Sequence, residues 1–397
     1  MSPQQNDMLK RITKLIQSPS FILFIYFIAA AAIAWQQFSL GAKSETSTHY
    51  NNYVIFKQSF FHLIHSQNLY ALYPNEYWDY YKYSPAFALF MMLLAYLPDL
   101  LGLIIWNLLN ALTLFFAIKS LPVADLKIKV AVWWFVLIEL ITSLQNSQSN
   151  ALIAGLLILS FSFLERRQVI WATLMISLTV FIKIFGVVAF SLFFLYPDRK
   201  KFVLYSAMWM IILAIVPLVA ISPSQLLWQY ENWRTLLSMD YGNSVGLSVM
   251  GWLHSWFQFD PPKNIITIAG ILLFCLPLIF VKRFSQPIFR WLFLSNILIW
   301  VVIFNHKAES PTFIIAVSGI ALWFFTQKKN YLNLFLLILA FIFTCLSPTD
   351  VFPPAIRNEF FVPYAIKVVP CILIWLKIIY ELVTKRYQPK NDLTFEV

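Results

Sequence analysis

The chain has 397 residues, of which 60% are hydrophobic and only 12% are charged. Soluble proteins carry about 25% charged residues, so this composition excludes an ordinary soluble domain and predicts a polytopic membrane protein. The formal net charge is +11, but the lysines and arginines stand in short clusters between apolar stretches, as the cytoplasmic anchors of membrane helices do. Nucleic acid is therefore not expected as a partner, whereas membrane lipids are.

The chain begins with a short basic segment, residues 1–19, in front of the first apolar stretch. That stretch lacks a small-residue cleavage site, so we interpret it as a retained membrane span and not as a removed signal peptide. The segment 384–397 is basic at its start. Both termini are therefore expected in the cytoplasm, on either side of a multi-span membrane domain that covers residues 20–383.

Thirteen apolar segments lie between the two termini, and cytoplasmic termini require an even number of crossings. The pattern predicts an all-α integral membrane bundle of about 12 transmembrane helices. The pair Arg166-Arg167 favours the cytoplasmic side, which makes 168–197 a short hairpin and leaves 86–98 as a half-span or re-entrant segment. In the alternative, 168–197 is one long tilted helix. The outer loops are predicted at residues 41–85, 224–263, 305–310 and 347–364.

The first outer loop is the longest polar interruption in the N-terminal half of the chain, and it starts with helical periodicity. Apolar residues recur at helical spacing over 51–66, which predicts an amphipathic helix lying on the membrane surface. Further along, Glu76 and Asp79 are three apart and would share a face of a helical turn. A carboxylate at this boundary can act as a general base, although a solvated surface acid explains it as well. Lys82 and the nearby tyrosines are candidates to contact a phosphate or to stack on a sugar, although an aromatic belt at the membrane interface explains them as well.

Polar residues also interrupt the apolar spans that follow. Gln148 and Asn150 stand at the start of a predicted helix, and amides are costly beside lipid, so they should cap that helix or line a cavity. Lys183 lies inside an apolar run, where an anionic lipid phosphate would be a natural partner. A lysine that extends to the interface is the alternative. Glu139 is similarly placed and is a candidate partner for Lys183.

A short polar turn between two later spans, residues 305–311, holds the sharpest cluster of titratable groups. His306 and Glu309 are three apart and are expected to orient each other or a substrate, although an ordinary outer turn explains the same residues. Asn243, in the second large outer loop, is a candidate hydrogen-bond partner for a sugar. Turn chemistry explains Asn243 almost as well.

The order of these motifs resembles glycosyltransferase family 87, whose members are GT-C-type integral membrane enzymes. The resemblance runs from about residue 20 to residue 325. It rests on an N-terminal span, a tyrosine-rich outer loop and polar residues in the helices that follow. The residues that carry it are Tyr53, Leu69, Tyr70, Tyr83, Ser84, Pro85, Tyr96, Leu97, Pro98, Gln148, Asn150 and Lys183.

The resemblance implies a polyprenyl-phosphate sugar donor, mannose as the expected hexose, inversion at the anomeric carbon, and a glycolipid or glycan acceptor. It implies no cofactor and no obligate metal, and the three cysteines show no ligand spacing. It also implies an aspartate early in the first outer loop as the general base. This chain has Asn52 at that position, with Asn51 beside it, and an amide cannot accept the proton.

We therefore expect a hexosyltransferase, similar to mannosyltransferases of the family, with its site on the outer face of the cytoplasmic membrane. The base would be Asp79, Glu76 or Glu309, and Glu45 and His49 are further candidates. The residues expected at the donor phosphate are Lys183 and Lys82. Those expected in the sugar and acceptor pocket are Asn51, Asn52, Gln148, Asn150, Asn243 and His306.

Two other classes of function stay open. A membrane transporter or flippase for a lipid-linked or anionic substrate would have charges near the membrane midplane, in related halves. This chain shows no internal repeat, and most of its charges lie in the predicted loops. A non-catalytic assembly partner would explain Asn51 and Asn52 as the mark of lost catalysis.

Overall fold

The structure is a computed structural model that describes residues 3–242 and 244–390. The chain is mostly α-helical, as predicted, with a short antiparallel hairpin of two strands, β1 (Ala42–Ser44) and β2 (Ser47–Thr48), after the first long helix. The helices are α1 (Pro3–Ile16), α2 (Pro19–Leu40), α3 (Asn51–Ile64), α4 (Pro85–Phe90), α5 (Met92–Ala95), α6 (Asp99–Lys119), α7 (Leu126–Gln145), α8 (Asn150–Glu165), α9 (Val169–Ile182), α10 (Arg199–Ile215), α11 (Pro223–Gly242), α12 (Val249–Phe257), α13 (Lys263–Cys275), α14 (Pro287–Ile303), α15 (Phe313–Phe325), α16 (Tyr331–Leu339), α17 (Pro354–Ile356) and α18 (Val369–Thr384). Segments of tighter or wider helix cover Ile184–Leu195, Val216–Val219, Leu276–Ile279, Val281–Arg283, Ser310–Thr312, Ala340–Leu346, Arg357–Phe361 and Ile366–Val368.

Four helices in the described part of the chain are long and apolar enough to cross a membrane, namely α2, α6, α7 and the continuous helix Arg199–Val219. A crossing needs about 20 predominantly apolar residues. Several shorter apolar helices of 10–17 residues accompany them. The protein is therefore an α-helical membrane protein, and the count of about 12 crossings stays a prediction.

The centre of the bundle is packed around α14, whose side chains are all buried from Trp291 to Ile303. Buried tryptophans connect neighbouring helices of the bundle by donating their indole N–H groups. The Trp133 Nε1 atom donates to the carbonyl of Phe115 at 3.1 Å, and the Trp375 Nε1 atom donates to the Asn296 side chain at 2.7 Å. Because an unpaired N–H group is costly away from water, these bonds fix how the helices pack.

One end of the bundle, called here the basic end, gathers the clusters of lysine and arginine. Glu165, at the end of α8, accepts from Nε and Nη2 of Arg290 at 2.6 and 2.7 Å and from the Tyr196 hydroxyl at 2.5 Å. Arg166 donates to the carbonyl of Ser120 at 2.6 Å. Contacts of this kind link residues 119–126, 165–169, 196–201, 282–290, 326–330 and 382–390, which make up the basic end.

The hairpin predicted for residues 168–197 is confirmed. Helix α9 leaves the basic end, and Lys183 interrupts it with extended backbone angles (φ −142°, ψ 122°). The tighter helix that follows returns to the basic end, so that Tyr196 meets Glu165. The alternative of one long tilted helix is wrong, because the two ends of the segment lie together.

The helices of the segment 86–98 are short, which agrees with the predicted half-span or re-entrant segment. Helices α4 and α5 have six and four residues, too few to cross a bilayer. Helix α3 packs against them, and the Tyr53 hydroxyl donates to the carbonyl of Leu94 at 3.4 Å. The helix predicted at 51–66 is thus present as α3, but its apolar face is buried within the protein and does not lie on a membrane surface.

The opposite end, called here the cavity end, collects the long polar segments. Helix α11 contacts the segment after α3 through Gln229, whose side chain donates to the carbonyl of Gln67 at 2.6 Å and accepts from the backbone N–H of Leu69 at 3.1 Å. The cavity end comprises residues 41–98, 145–150, 183–184, 220–242, 244–262, 304–312 and 347–367.

Candidate active site

A cavity of about 1600 Å³ opens at the cavity end. Its walls are the hairpin β1–β2, the segment 78–83, the ends of α7 and α14, and the turn 305–312. The predicted site residues that line it are Asn51, Asn52, Asp79, Lys82, Gln148, Lys183, His306 and Glu309. These predicted residues come from five separate parts of the sequence and face one space.

Four of the predicted residues form one hydrogen-bond network, in which Gln148, Lys183 and Glu309 line the cavity and the fully buried Asn150 lies behind them. The Gln148 Nε2 atom donates to Glu309 Oε2 at 2.7 Å, and Gln148 Oε1 accepts from Asn150 Nδ2 at 2.6 Å and from Lys183 Nζ at 3.5 Å. Lys183 also donates to Asn150 Oδ1 at 2.8 Å, and Asn150 Nδ2 reaches the carbonyl of Pro311 at 3.0 Å. Two amides thus join a carboxylate to an ammonium group.

The turn 305–312, which carries Glu309, is held in place on several sides. The backbone N–H of Thr312 donates to the Glu309 carboxylate, and the backbone N–H of Glu309 donates to the Thr312 hydroxyl at 3.3 Å, which is a capping box. From the neighbouring segment, the backbone N–H of Leu247 donates to the carbonyl of Ala308 at 2.8 Å. The carboxylate is solvent-accessible, yet its direction is fixed.

Asp79 and Glu76 do not share a helical face, and this prediction is wrong. Asp79 has a positive φ of 83°, which is uncommon outside glycine, and its carboxylate accepts from the backbone N–H of Tyr80 at 2.7 Å and from Lys82 at 3.2 Å. Glu76 is absent from the described cavity wall and contacts His62 at 2.9 Å instead. Asp79 alone of the two reaches the site.

Two cations face the cavity from one side. Lys82 and Lys183 lie close enough to interact electrostatically, and the Lys183 ammonium lies 5.8 Å from the centre of the Tyr83 ring. Burial raises the pKa of Tyr83 above its ordinary value, so its phenol stays neutral. Two ammonium groups in one cavity suit an anionic ligand such as a phosphate.

The wall beside Lys183 is apolar. It is built from the first turn after that lysine and from the end of α14, and its members are Ile184, Val187, Val188, Trp300 and Phe304. The Ile184 and Val187 side chains are exposed although they are aliphatic. The cavity therefore has a hydrocarbon-like side directly next to its cationic side.

Asn51 and Asn52 have different surroundings. Asn51 braces the opposite wall, since its Nδ2 atom donates to the carbonyl of Trp78 at 2.7 Å and its Oδ1 atom accepts from the backbone N–H of Trp78 at 3.0 Å. Asn52 donates from Nδ2 to the carbonyl of Asn146 at 2.9 Å. Asn51 is structural, whereas Asn52 connects the start of α3 to the end of α7 beside the cavity.

The predicted pairing of Glu139 with Lys183 is wrong. Glu139 Oε1 lies 2.7 Å from the Lys367 ammonium, behind the cavity wall. The physical reason is that Lys183 is held by the amides of Gln148 and Asn150, while Lys367 is the cation that lies next to Glu139. Asn243 lies outside the described residues.

The sequence reasoning missed one whole wall of the site. Residues 43–49, which contain the hairpin β1–β2, are all polar and all face the cavity. Glu45 and His49 were considered only as alternative bases, and the signal that could have revealed the wall is the unbroken polar run that directly follows the first span. Within the described residues, no group of three or more His, Cys, Asp or Glu side chains is placed to hold a metal ion.

Comparison with known proteins identifies the family. None of the curated proteins compared with this chain matches it. The sequence model of glycosyltransferase family 87 matches residues 81–348, which include the four members of the Glu309–Lys183 network and exclude the hairpin wall. The match covers more than half of the 397 residues and confirms the family expected from the motifs, so the chain belongs to glycosyltransferase family 87 and is a membrane glycosyltransferase.

Proposed function

We propose that this glycosyltransferase moves a hexose, with mannose as the first candidate, from a polyprenyl-phosphate sugar to a glycan or glycolipid acceptor. The reaction would take place at the outer face of the cytoplasmic membrane. The observation that carries the proposal is the network in which Gln148 joins the Glu309 carboxylate to the Lys183 ammonium in one cavity. The network places a proton acceptor for the acceptor hydroxyl and an anion-binding cation for the donor phosphate in the same cavity.

The donor would bind across the boundary between the cationic and apolar walls. Its phosphate would contact Lys183 and Lys82, because charge-assisted hydrogen bonds from ammonium groups are the strong ones. Its polyprenyl chain would lie along Ile184, Val187 and Phe304, whose contact with lipid buries apolar surface worth about 25 cal/mol per Å². A lipid-linked phosphate would contact both the cationic wall and the apolar wall. A nucleotide sugar has no hydrocarbon chain to place against the apolar wall.

Glu309 is the proposed general base. Among the described residues, its donors are neutral, namely Gln148 and the backbone of Thr312. Such donors orient a carboxylate without neutralising it, so a lone pair stays ready for the proton of an acceptor hydroxyl. Asp79 is the second candidate, but its carboxylate is already paired with the Lys82 ammonium at 3.2 Å.

The proposed chemistry is a single inverting displacement. Glu309 takes the proton from the acceptor hydroxyl while the oxygen attacks the anomeric carbon on the face opposite the phosphate. The bond between that carbon and the phosphate oxygen breaks, and the polyprenyl phosphate leaves with the electron pair. Lys183 and Lys82 stabilise the charge on the leaving phosphate, and the polar hairpin wall offers hydrogen bonds to a hydroxyl-rich acceptor.

We propose twelve crossings, with the basic end in the cytoplasm. The proposed crossings are α2, α6, α7, α8, α9, Ile184–Leu195, α10, α13, α14, α15, α16 with its extension, and α18. Clusters of lysine and arginine favour the cytoplasmic side. The termini would then be cytoplasmic, and the segments 41–85, 224–263, 305–310 and 347–364 would be outside.

The test measures sugar transfer from radiolabelled polyprenyl-phosphate-mannose in membranes that carry the wild type, Glu309→Gln or Asp79→Asn. Loss of a general base lowers turnover by about 10²–10⁴-fold, so we expect that loss in Glu309→Gln and a smaller one in Asp79→Asn. The control is Asp260→Asn, which removes an exposed carboxylate of the cavity end that pairs with His254 and should leave transfer unchanged.

Either of two results would contradict the proposal. If Asp79→Asn alone abolished transfer, the base would lie in the first outer loop. If the wild type transferred no sugar from several lipid-linked donors while it still folded and inserted, the donor class would be wrong.

A further inference from the structure

A buried ion pair lies behind the turn that carries Glu309. The Glu139 carboxylate on α7 and the Lys367 ammonium just before α18 are 2.7 Å apart, and their side chains are 0% and 5% exposed. The ammonium also donates to the Ser310 hydroxyl at 2.9 Å. The second carboxylate oxygen of Glu139 has no hydrogen-bond partner among the described residues.

Stability alone does not explain this pair. Removing two charges from water costs free energy that their attraction often fails to recover, and apolar residues of the same volume often give equal or higher stability. The cost is greater within a membrane protein, where charged side chains far from water are rare and mostly functional. The unpartnered oxygen of Glu139 adds to it.

The contact with Ser310 shows what the pair holds. Ser310 directly follows Glu309 and begins the tight helical turn that Glu309 caps. The Lys367 ammonium therefore links the core to the side chain of the residue next to Glu309, in addition to the Gln148 and Leu247 contacts of the same turn. We infer that Glu139 and Lys367 are positioning residues, which hold the turn 305–312 so that Glu309 meets the acceptor hydroxyl.

The same pair connects an outer segment to the site. Lys367 comes shortly after the segment 347–364, whose Tyr364 carbonyl accepts from the Trp256 indole of α12 at 2.7 Å. The Lys367 ammonium also lies 5.1 Å from the centre of the Phe313 ring at the start of α15. Three elements thus meet at one ammonium, which suits it to fix a turn. The role in catalysis rests on the proposed function of Glu309.

The test replaces both charges by apolar side chains in Glu139→Met/Lys367→Met. We expect its Tm to equal or exceed that of the wild type, while kcat falls by about tenfold or more because small misplacements of a catalytic group are costly. The KM for the lipid donor should stay the same, because neither residue contacts the cavity. Lys367→Arg keeps the charge and the donor and should recover most of kcat.

The matched control is Lys377→Met on α18, which removes a lysine that pairs with Glu381 at 3.1 Å near the basic end. This variant should keep the wild-type kcat. A double variant with the wild-type kcat would overturn the inference. A double variant whose Tm falls together with its kcat would also overturn it, because loss of stability would then explain the loss of turnover.

A second measurement does not depend on activity. The thiol of Glu309→Cys is labelled with a charged, membrane-impermeant thiosulfonate, and the parent protein with its native cysteines gives the background. Adding Glu139→Met/Lys367→Met should change the labelling rate at position 309, because the turn is no longer tied. An unchanged rate would overturn the inference. If the wild type transferred no sugar, the proposed function would fail, while the labelling would still decide whether the pair holds the turn.

Discussion

Two carboxylates at opposite ends of the bundle are held in different ways. At the basic end, Glu165 accepts two bonds from the Arg290 guanidinium and one from the Tyr196 hydroxyl. At the cavity end, Glu309 accepts from the side-chain amide of Gln148 and from a backbone N–H group. A guanidinium fork binds a carboxylate through two charge-assisted hydrogen bonds, whereas neutral donors orient it through weaker ones.

The difference separates a structural contact from the proposed catalytic one. The Glu165 side chain is 7% exposed, so no substrate can reach it, and its bonds connect α8, α14 and the end of the 168–197 hairpin. Glu309 is open to a large cavity, and the Gln148 amide and the Thr312 backbone hold its carboxylate. Loss of Glu165 should therefore change stability, and loss of Glu309 should change turnover.

The largest expected effect on stability is at the basic end. Glu165→Gln removes one charge of a buried pair and leaves the Arg290 guanidinium without its partner, which costs about 3 kcal/mol of the free energy of unfolding. We expect a clear fall in Tm in detergent, with the wild-type kcat retained by the molecules that stay folded.

Asp350→Asn is the matched control for that variant. It breaks the bond between Asp350 and Arg357, where the Asp350 side chain is 96% exposed, and exposed pairs contribute little. Its Tm should equal that of the wild type. If Glu165→Gln had no larger effect than this control, the bidentate contact would not hold the basic end together.

The next effect concerns the donor. Lys183→Met removes a cation proposed to bind the phosphate, and a hydrogen bond to a charged group contributes about 1.5–3 kcal/mol, so the KM for the lipid donor should rise by about 10–100-fold. Steady-state kinetics with varied donor concentration would measure it. Lys282→Met, a lysine of the basic end, is the control. An unchanged KM in Lys183→Met would place the phosphate elsewhere.

The sequence could predict the basic end because each cluster of lysine and arginine determines the side on which its own loop lies, without reference to distant residues. The pair Arg166-Arg167 was enough to favour the hairpin over a long helix, and the contact between Tyr196 and Glu165 confirms it. The polar residues within spans were equally informative. Gln148 and Asn150 could avoid lipid only by facing a cavity or capping a helix.

Pairings across the bundle could not be predicted in the same way. Glu139 and Lys367 are 228 positions apart, and any buried cation would have satisfied the sequence argument equally, which is why Lys183 was the wrong choice. The prediction that Glu76 and Asp79 share a face was wrong for a related reason. Their spacing gives a shared face only if the segment is helical. The positive φ of Asp79 reverses the chain there.

A smaller effect is expected at Asn52, the position at which the family resemblance implies an aspartate. In Asn52→Asp a carboxylate would face the carbonyl of Asn146, which now accepts from the Asn52 amide at 2.9 Å. The lost bond and the repulsion should lower transfer by about fivefold. The variant Asn52→Asp/Glu309→Gln should be as inactive as Glu309→Gln. Recovery of transfer in that double variant would show that an aspartate at position 52 can be the base.

The smallest expected effect concerns the pair of His62 and Glu76 at the cavity end. Burial lowers the pKa of His62 below its ordinary value, and the Glu76 carboxylate opposes that shift. The unfolded chain, in which the pKa is about 6.5, then binds a proton more readily than the folded protein. Stability is therefore complete above about pH 6.5 and falls as the pH drops below it.

Glu76→Gln removes the group that favours the protonated imidazole, so it lowers the pKa of folded His62 further and steepens the loss of stability in acid. Tm measured above and below the ordinary histidine pKa should show little difference from the wild type at the higher pH and a larger one at the lower pH. The matched control is Asp260→Asn, whose partner His254 is exposed and keeps its water when protonated. If both variants lost stability equally in acid, burial of His62 would not be the cause, and the pair of Glu76 and His62 would have to be treated as a surface contact.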